Sequence, residues 1–307
     1  MDPVTSRLAV ETQGFTITLD YAPSASNEPR WGYGGPSHAR LATLLSRHRA
    51  RYEQELRGIV PYIEELRRIG VAIDPDAPEE PAWVNSFLPG LDGALLYGLL
   101  RQRRPARYLE IGSGNSTKFV ARARRDGGLS THLTSIDPAP RAEIDTLCDT
   151  VIRAPLESVD LAEFSRLRRG DMVFFDGSHR VFMNSDTVVF FLEVLSLLPA
   201  GVLVGVHDIR LPDDYPQEFA DRWYSEQYLL ACWLLAESPR VQPVFAAAYV
   251  SRYTSIAAPL DPLWTTPGFE TVERHGDAFW FETGDTGPVS SVRERAAALV
   301  RRATRRP

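Results

Sequence analysis

The chain has 307 residues, enough for one large domain with an added segment or for two small domains. Its 34 basic and 40 acidic residues leave a net charge of −6, which argues against a nucleic-acid partner because nothing overall attracts phosphate. Its two cysteines exclude a disulfide framework. Because it has no apolar run of about 18 residues and no secretory leader pattern, we expect a soluble, cytoplasmic protein with no membrane partner.

The first part of the chain reads as an accessory segment. Residues 8–21 alternate well enough for a strand or hairpin, and Ser37 is placed to cap a helix over residues 40–59. Residues 74–82 form a linker with three prolines and four acids. We therefore divide the chain into a hairpin-plus-helix accessory segment (1–82), a main domain (83–285) and a basic helical tail (286–307).

Strands and helices alternate through the main domain. Asp92 is placed to cap a helix that continues through Arg103, and from Arg107 apolar strands alternate with amphipathic segments. We predict a strand followed by a tight turn over 107–114, strands at 133–138, 171–175, 201–208, 243–251 and 277–282, and helices at 115–127, after Arg141, at 188–198 and at 226–238. This order predicts an α/β fold with a Rossmann-like, doubly wound, seven-stranded and mostly parallel sheet.

A glycine turn follows the first strand of this domain. In LEIGSGNST (109–117), Gly112 and Gly114 let the backbone turn tightly and approach a ligand, and ligands bind at the carboxyl ends of such strands. The dinucleotide fingerprint has a third glycine where this chain has Thr117, which argues against a nicotinamide-dependent oxidoreductase. Asp137 ends the next strand, where a carboxylate suits the two hydroxyls of an adenosine ribose.

These residues resemble the motifs of class I S-adenosylmethionine-dependent methyltransferases. The stretch 110–114, EIGSG, is similar to their first motif, and Asp137 is similar to their acid at the end of the second strand. The similarity runs from about Trp83 to Glu282. It implies S-adenosylmethionine as cofactor, with the glycine turn against the methionine part, Asp137 on the ribose and Glu110 near the methionine amine. The cofactor-binding residues so predicted are Glu110, Gly112, Ser113, Gly114, Asn115, Ser116, Asp137 and Asp176.

Polar residues end the next two strands. Asp176 ends one, and His207-Asp208 ends its neighbour, so their side chains are expected to converge on one crevice. Like charges placed so close repel, and a divalent cation would explain them. Asp176 and Asp208 offer hard oxygen ligands suited to Mg²⁺. His207 as a third ligand would shift the preference toward Mn²⁺, Fe²⁺ or Zn²⁺.

This second pattern resembles metal-dependent O-methyltransferases of the catechol and sugar-modifying types. In that family, acids at the ends of the fourth and fifth strands hold the metal, and the base lies three residues after the first acid. The resemblance implies a Mg²⁺ or Mn²⁺ site at Asp176, His207 and Asp208, with His179 as general base. His207 departs from the family, which usually has a carboxylate there. The implied catalytic residues are His179, Asp176 and His207.

The function so predicted is methylation of a hydroxyl on a small-molecule secondary metabolite or sugar. The cation would lower the pKa of the reacting hydroxyl, and His179 would remove its proton. One alternative is a metal-independent methyltransferase that uses His179 or His207 as base on an oxygen, nitrogen or carbon acceptor. Another is a cofactor-binding module without catalysis. We also expect a homo-oligomer through the N-terminal helix and hairpin. Residues 210–216 are expected to form a solvated loop, with substrate contact by Asp213, Asp214 and Tyr215 as the alternative.

Overall fold

The computed structural model describes residues 28–140 and 142–285. The hairpin predicted at 8–21 and the helical tail predicted at 286–307 lie outside the described residues. Among the described residues, no helix has both the length and the apolar character needed to cross a membrane.

Seven strands form one sheet in the order β3-β2-β1-β4-β5-β7-β6. Strands β1 to β5 run parallel, and β7 lies antiparallel between β5 and β6. The α/β prediction of a Rossmann-like, mostly parallel seven-stranded sheet is therefore confirmed. The strands are β1 (Arg107–Ile111), β2 (His132–Ile136), β3 (Thr150–Ile152), β4 (Met172–Phe175), β5 (Leu203–Val206), β6 (Val241–Ala246) and β7 (Phe279–Thr283).

Helices cover both faces of this sheet and continue into the N-terminal part of the described chain. They are α1 (Ala39–Ser46), α2 (Arg49–Ile59), α3 (Ile63–Leu66), α4 (Gly90–Arg103), α5 (Asn115–Asp126), α6 (Asp186–Val189), α7 (Leu195–Leu197), α8 (Gln217–Ala220), α9 (Glu226–Leu235), α10 (Ala247–Val250), α11 (Thr254–Ala257) and α12 (Asp261–Trp264). A π-helical turn, Phe190–Val194, joins α6 to α7. Short 3₁₀ turns lie at Val60–Tyr62, Asp145–Leu147, Leu156–Ser158, Leu161–Arg166 and Ala258–Leu260.

One hydrophobic core runs through the described chain and fixes where the strands end. Every residue of β4 and β5 is buried, as expected for central strands of a parallel sheet covered on both faces. Tyr52 of α2 is fully buried, and its ring meets that of Phe245 at 5.6 Å between centroids. The helices before residue 82 therefore bury their apolar faces in the same core as the sheet, while the division at residue 82 stays a prediction.

Several local predictions were wrong, each because a competing interaction decides the local structure. His38 caps α1 instead of Ser37, since its Nδ1 accepts the N–H of Leu41. The predicted helix after Arg141 is only the turn Asp145–Leu147, whose Asp145 side chain pairs with Arg153 just after β3. The strand predicted to reach residue 251 ends at Ala246, where an alanine-rich stretch forms α10.

The prediction that Asp92 caps α4 was also wrong. The helix begins at Gly90 after Pro89, and Asp92 lies in its first turn with no solvent exposure. Its carboxylate accepts the backbone N–H groups of Asp277 at 2.6 Å and of Ala278 at 3.0 Å. Asp92 therefore connects α4 to the residues that precede β7 and does not cap α4.

Candidate active site

A crevice of about 670 Å³ opens at the carboxyl ends of β1, β2 and β4. It is large enough for a small-molecule ligand, since such pockets typically measure about 300–1,000 Å³. The segment before α4 forms one wall, and the glycine turn between β1 and α5 forms its floor. The lining includes Ile73, Pro78, Asn85, Phe87, Gly112, Ser113, Gly114, Asn115, Ser116, Asp137, Asp176 and His179.

Gly112 holds the turn after β1 against the end of β4. Its φ is +76°, and a Cβ at this position would lie 1.7 Å from the carbonyl oxygen of Asp176. Its N–H donates to the carbonyl of Ile136 at the end of β2. Only glycine accommodates this conformation and contact, so the ends of three strands meet through the backbone at Gly112.

Glu110 supports the same turn from behind and does not line the crevice. The hydroxyl of Thr117 donates to Glu110 Oε2 at 2.6 Å and accepts the N–H of Gly114 at 3.0 Å. Burial raises the pKa of Glu110 to about 8, while the hydroxyls of Ser116 and Thr117 act to lower it. Thr117 therefore fixes the turn by hydrogen bonds at the position where a dinucleotide site has glycine.

Asp137 is held at the crevice by two backbone amides. Its Oδ2 accepts the N–H of Ser113 and its Oδ1 the N–H of Ala139, both at 2.8 Å. The carboxylate is therefore oriented before any ligand arrives. Asn115, the first residue of α5, instead donates to Asn85 Oδ1 at 3.2 Å and so attaches the loop before α4 to this wall.

Beside the glycine turn, four side chains form what we call the polar centre: Asp176, His179, His207 and Asp208. His179 Nε2 lies 3.5 Å from Asp176 Oδ1 and 3.4 Å from Asp208 Oδ2. His207 Nδ1 approaches the same carboxylates from the other side, at 3.5 and 3.6 Å. The structure therefore brings together the four residues that the sequence placed at these strand ends.

Three of these residues have the spacing of a metal site. One ligand atom from each of Asp176, His179 and Asp208 lies within 4.8 Å of the others. His207 is more deeply buried and does not line the crevice. The clustered trio thus includes His179, which the sequence proposed as base, in place of His207, whose predicted role as metal ligand stays a prediction.

Two members of the polar centre have left-handed backbone conformations. The φ of His179 is +65° and that of Asp208 is +54°. Such conformations cost non-glycine residues on the order of 1–3 kcal/mol, and they cluster at active sites. This backbone strain lies where the chain leaves β4 and β5. At both residues the side chain turns toward the polar centre.

Two buried carboxylates, Asp92 and Glu226, were not connected with the imidazoles by the sequence analysis. Glu226 Oε1 lies 2.6 Å from His179 Nδ1, and Asp92 Oδ2 lies 3.3 Å from His207 Nε2. The signal was present, since each is an acid in an otherwise apolar helical stretch. Their pairing was not visible, because His179 and Glu226 are separated by 47 positions and belong to different elements.

The carboxylates control the protonation of both imidazoles. Burial lowers the pKa of His179, but Glu226, Asp208 and Asp176 raise it by more, to about 9. Burial also lowers the pKa of His207, and Asp176 and Asp208 outweigh it, so that this pKa lies well above its ordinary value. The carboxylates therefore favour the charged form of both rings.

The loop at residues 210–216 is buried, contrary to the expectation of a solvated loop. Asp213, Asp214 and Tyr215 are each less than a tenth exposed, and none of them lines the crevice. Asp214 Oδ2 accepts the backbone N–H of Arg30 at 2.9 Å. The loop therefore anchors the beginning of the described chain to the sheet.

Comparisons with known proteins point to one class of enzyme. Residues 109–209, from β1 to just beyond β5, match the family model of a methyltransferase domain. A search of curated protein sequences found none that matches this chain.

A search of solved structures found matches at low identity. A Podospora anserina methyltransferase, PaMTH1, bound to SAH is 20% identical over 61% of this chain and 81% of its own, with a TM-score of 0.35. Mycolic acid cyclopropane synthase CmaA1 is 14% identical over 72% and 94%, with a TM-score of 0.33. Coclaurine N-methyltransferase is 10% identical over 81% and 95%, with a TM-score of 0.36.

The matched segment contains the glycine turn, Asp137 and the whole polar centre. With the Rossmann-like sheet and the crevice at its carboxyl edge, it defines an S-adenosylmethionine-dependent methyltransferase.

The two glycines of the turn give a first prediction. Gly112→Ala should unfold the protein or lower its melting temperature strongly, because the added Cβ would overlap the Asp176 carbonyl. Gly114→Ala should keep the melting temperature, since no atom lies within 4 Å of its added Cβ, but weaken binding of S-adenosylhomocysteine. Thermal unfolding and calorimetry measure the two effects. Equal melting temperatures for the two variants would contradict the close contact at Gly112.

Proposed function

We propose that this enzyme methylates a hydroxyl of a small-molecule acceptor, a secondary metabolite or a sugar, with a divalent cation at the polar centre and His179 as base. The observation that carries this proposal is the convergence of Asp176, His179 and Asp208 beside the glycine turn, with their ligand atoms within 4.8 Å of one another. The metal and the base would then act at the edge of the crevice that holds the cofactor.

The cofactor would lie along the floor of the crevice. The two fixed oxygens of Asp137 keep lone pairs for the ribose hydroxyls, because each accepts only one backbone N–H. Gly114 leaves open space where a side chain would otherwise intrude. Glu110 acts through Thr117 to hold the turn, so its role in binding is indirect. The sulfonium end would then point toward Asp176, whose carbonyl touches the turn.

The residues of the polar centre fit a divalent cation. Two carboxylates supply the hard oxygens that Mg²⁺ and Mn²⁺ prefer, and an imidazole among the donors favours Mn²⁺. Asp176 and Asp208 would hold it, with His207 Nδ1 as a third protein donor, because Nε2 of His179 is kept for the reacting hydroxyl. When bound, the cation supplies Lewis acidity that lowers the pKa of a nearby hydroxyl.

His179 is the residue placed to take the proton. Its ring lines the crevice, whereas His207 is buried behind the carboxylates. Its Nδ1 faces Glu226, which leaves Nε2 for the reacting hydroxyl. A base must be neutral, whereas Glu226 first, and then Asp208 and Asp176, raise the pKa of this ring. Positive charge placed between the two aspartates would offset their share of this effect and so favour a neutral ring whose Nε2 can accept a proton.

The test is the variant His179→Asn, because asparagine tolerates the left-handed backbone at this position. Formation of S-adenosylhomocysteine is measured with a panel of hydroxylated acceptors, with Mn²⁺ or with chelator. Loss of the base should lower turnover by about 10²–10⁴-fold while cofactor affinity is retained. Turnover that survives both exhaustive chelation and this substitution would overturn the proposal.

A further inference from the structure

We propose that Glu226 is a positioning residue that fixes the ring of His179 toward Asp176 and Asp208. This inference rests on the proposed function, because it explains how the base and the cation site are aligned. Glu226 is fully buried at the start of α9, and its Oε1 lies 2.6 Å from His179 Nδ1. No substrate or cofactor contact is assigned to it, since it does not line the crevice.

A buried carboxylate requires a compensating partner, because removing its charge from water is costly. Within the described chain, Glu226 Oε2 has no hydrogen-bond partner and Oε1 contacts only His179. The start of a helix favours negative charge, but that contribution is small and does not explain burial of this depth. The contact with His179 is therefore the feature that accounts for an acid at this position.

The residues around Glu226 hold His179 from three directions. The carbonyl of His179 accepts the N–H of Ser225 at 2.8 Å and that of Glu226 at 3.3 Å. The ring of Tyr224 stacks on the imidazole at 4.4 Å between centroids. With Nδ1 donating to Glu226, the remaining nitrogen can only face the two aspartates. A carboxylate behind an imidazole fixes its tautomer and orientation in this way at many metal and base sites.

Asp92 and His207 form a similar pair but do not carry the same inference. Both oxygens of Asp92 already accept backbone N–H groups, those of Asp277 and Ala278. Its contact with His207 is also longer, at 3.3 Å. The burial of Asp92 is therefore explained by the attachment of α4 to β7, whereas the burial of Glu226 is not explained without His179.

The first test measures turnover with the panel of hydroxylated acceptors. Glu226→Leu should lower turnover by about 10–100-fold, the usual cost of losing such an outer partner, and Glu226→Gln should lose less because its amide oxygen still accepts from Nδ1. Tyr228→Phe, on the same helix, removes a hydroxyl bonded to Asp214 and should leave turnover unchanged. Turnover is measured as formation of S-adenosylhomocysteine.

Proton resonance provides a second readout that does not depend on the metal. The hydrogen bond of 2.6 Å should place the Nδ1 proton of His179 at low field, assigned by its absence from His179→Asn. The signal should move upfield in Glu226→Gln and disappear in Glu226→Leu. An unchanged signal in Glu226→Gln would overturn the inference. If the native protein binds no Mn²⁺ but the signal responds as described, the cation site fails and the role of Glu226 stands.

Discussion

Replacing Asp208 by asparagine is expected to weaken Mn²⁺ binding by at least about a hundredfold, more than loss of an outer partner usually costs. Asp208 supplies one of the two carboxylates of the polar centre, and His179 Nε2 lies 3.4 Å from its Oδ2. Asparagine keeps the shape of the side chain and tolerates the φ of +54°, so the fold should be retained. The crevice lining does not include Asp208, and S-adenosylhomocysteine affinity should therefore stay close to that of the native protein.

Asp214→Asn is the matched control for this substitution. It removes the same charge from the same stretch of chain, but Asp214 bonds to Arg30 and Tyr228 outside the polar centre. Calorimetric titration of both variants with Mn²⁺ and with S-adenosylhomocysteine separates the two sites. A loss of Mn²⁺ affinity in Asp214→Asn as large as that in Asp208→Asn would show that net charge, and not coordination, controls binding.

The strand ends were predictable because their physical signals are local. DMVFFD and GVLVGVHD each show an apolar run that stops at an acid, which is how a buried parallel strand reaches the ligand edge of its sheet. Neighbouring strands place these ends side by side, and the structure pairs Phe175 with Val206. The convergence of Asp176 with Asp208 therefore followed from strand order alone.

The groups behind the imidazoles were not predictable, because their roles depend on contacts far apart in sequence. Asp92 was assigned to a helix cap on local pattern, yet its partners are the amides of Asp277 and Ala278, 185 and 186 positions away. Glu226 had the pattern of an ordinary first-turn acid. The short strand β3 was missed for a related reason, since three half-buried residues carry almost no periodic signal.

For the two histidines, residue type predicted the chemistry of the site but not which histidine has which role. The sequence placed His179 as base and His207 as ligand from their positions after the two acids. In the structure, both rings approach the same carboxylates, His179 from the crevice side and His207 from the interior. The two rings differ in how deeply they are buried. The burial of His207 is set by packing against Phe174 and the chain that leads into β7, and no local sequence pattern encodes that packing.

Mn²⁺ binding is expected to release protons, with about one of them coming from His179. The pKa of this imidazole lies near 9 in the metal-free protein, against an ordinary value of 6.5. A cation must displace that proton, so apparent Mn²⁺ affinity should rise by about tenfold per pH unit for each proton released, up to about pH 9. Calorimetry in buffers of different ionisation enthalpy counts the protons.

The raised pKa of His179 also predicts how the stability of the folded protein changes with pH. Because the folded state holds this proton more tightly than the unfolded chain, the stabilisation is fully present below about pH 6.5 and is lost as the pH rises through about 9. The melting temperature of the metal-free protein should fall across this window. The fall should be smaller in His179→Asn, although the raised pKa values of Glu110 and Glu226 act in the same direction in both proteins.

The comparison with His179→Asn isolates this group from His207, whose pKa is also raised. The variant should release about one proton fewer per Mn²⁺ than the native protein at pH 7.5, whatever His207 contributes. His132→Asn removes a histidine bonded to Thr150, outside the polar centre, and should release the native number. Equal proton release from the native protein and His179→Asn would mean that the cation does not displace the His179 proton, which would leave His179 charged and unable to act as the base.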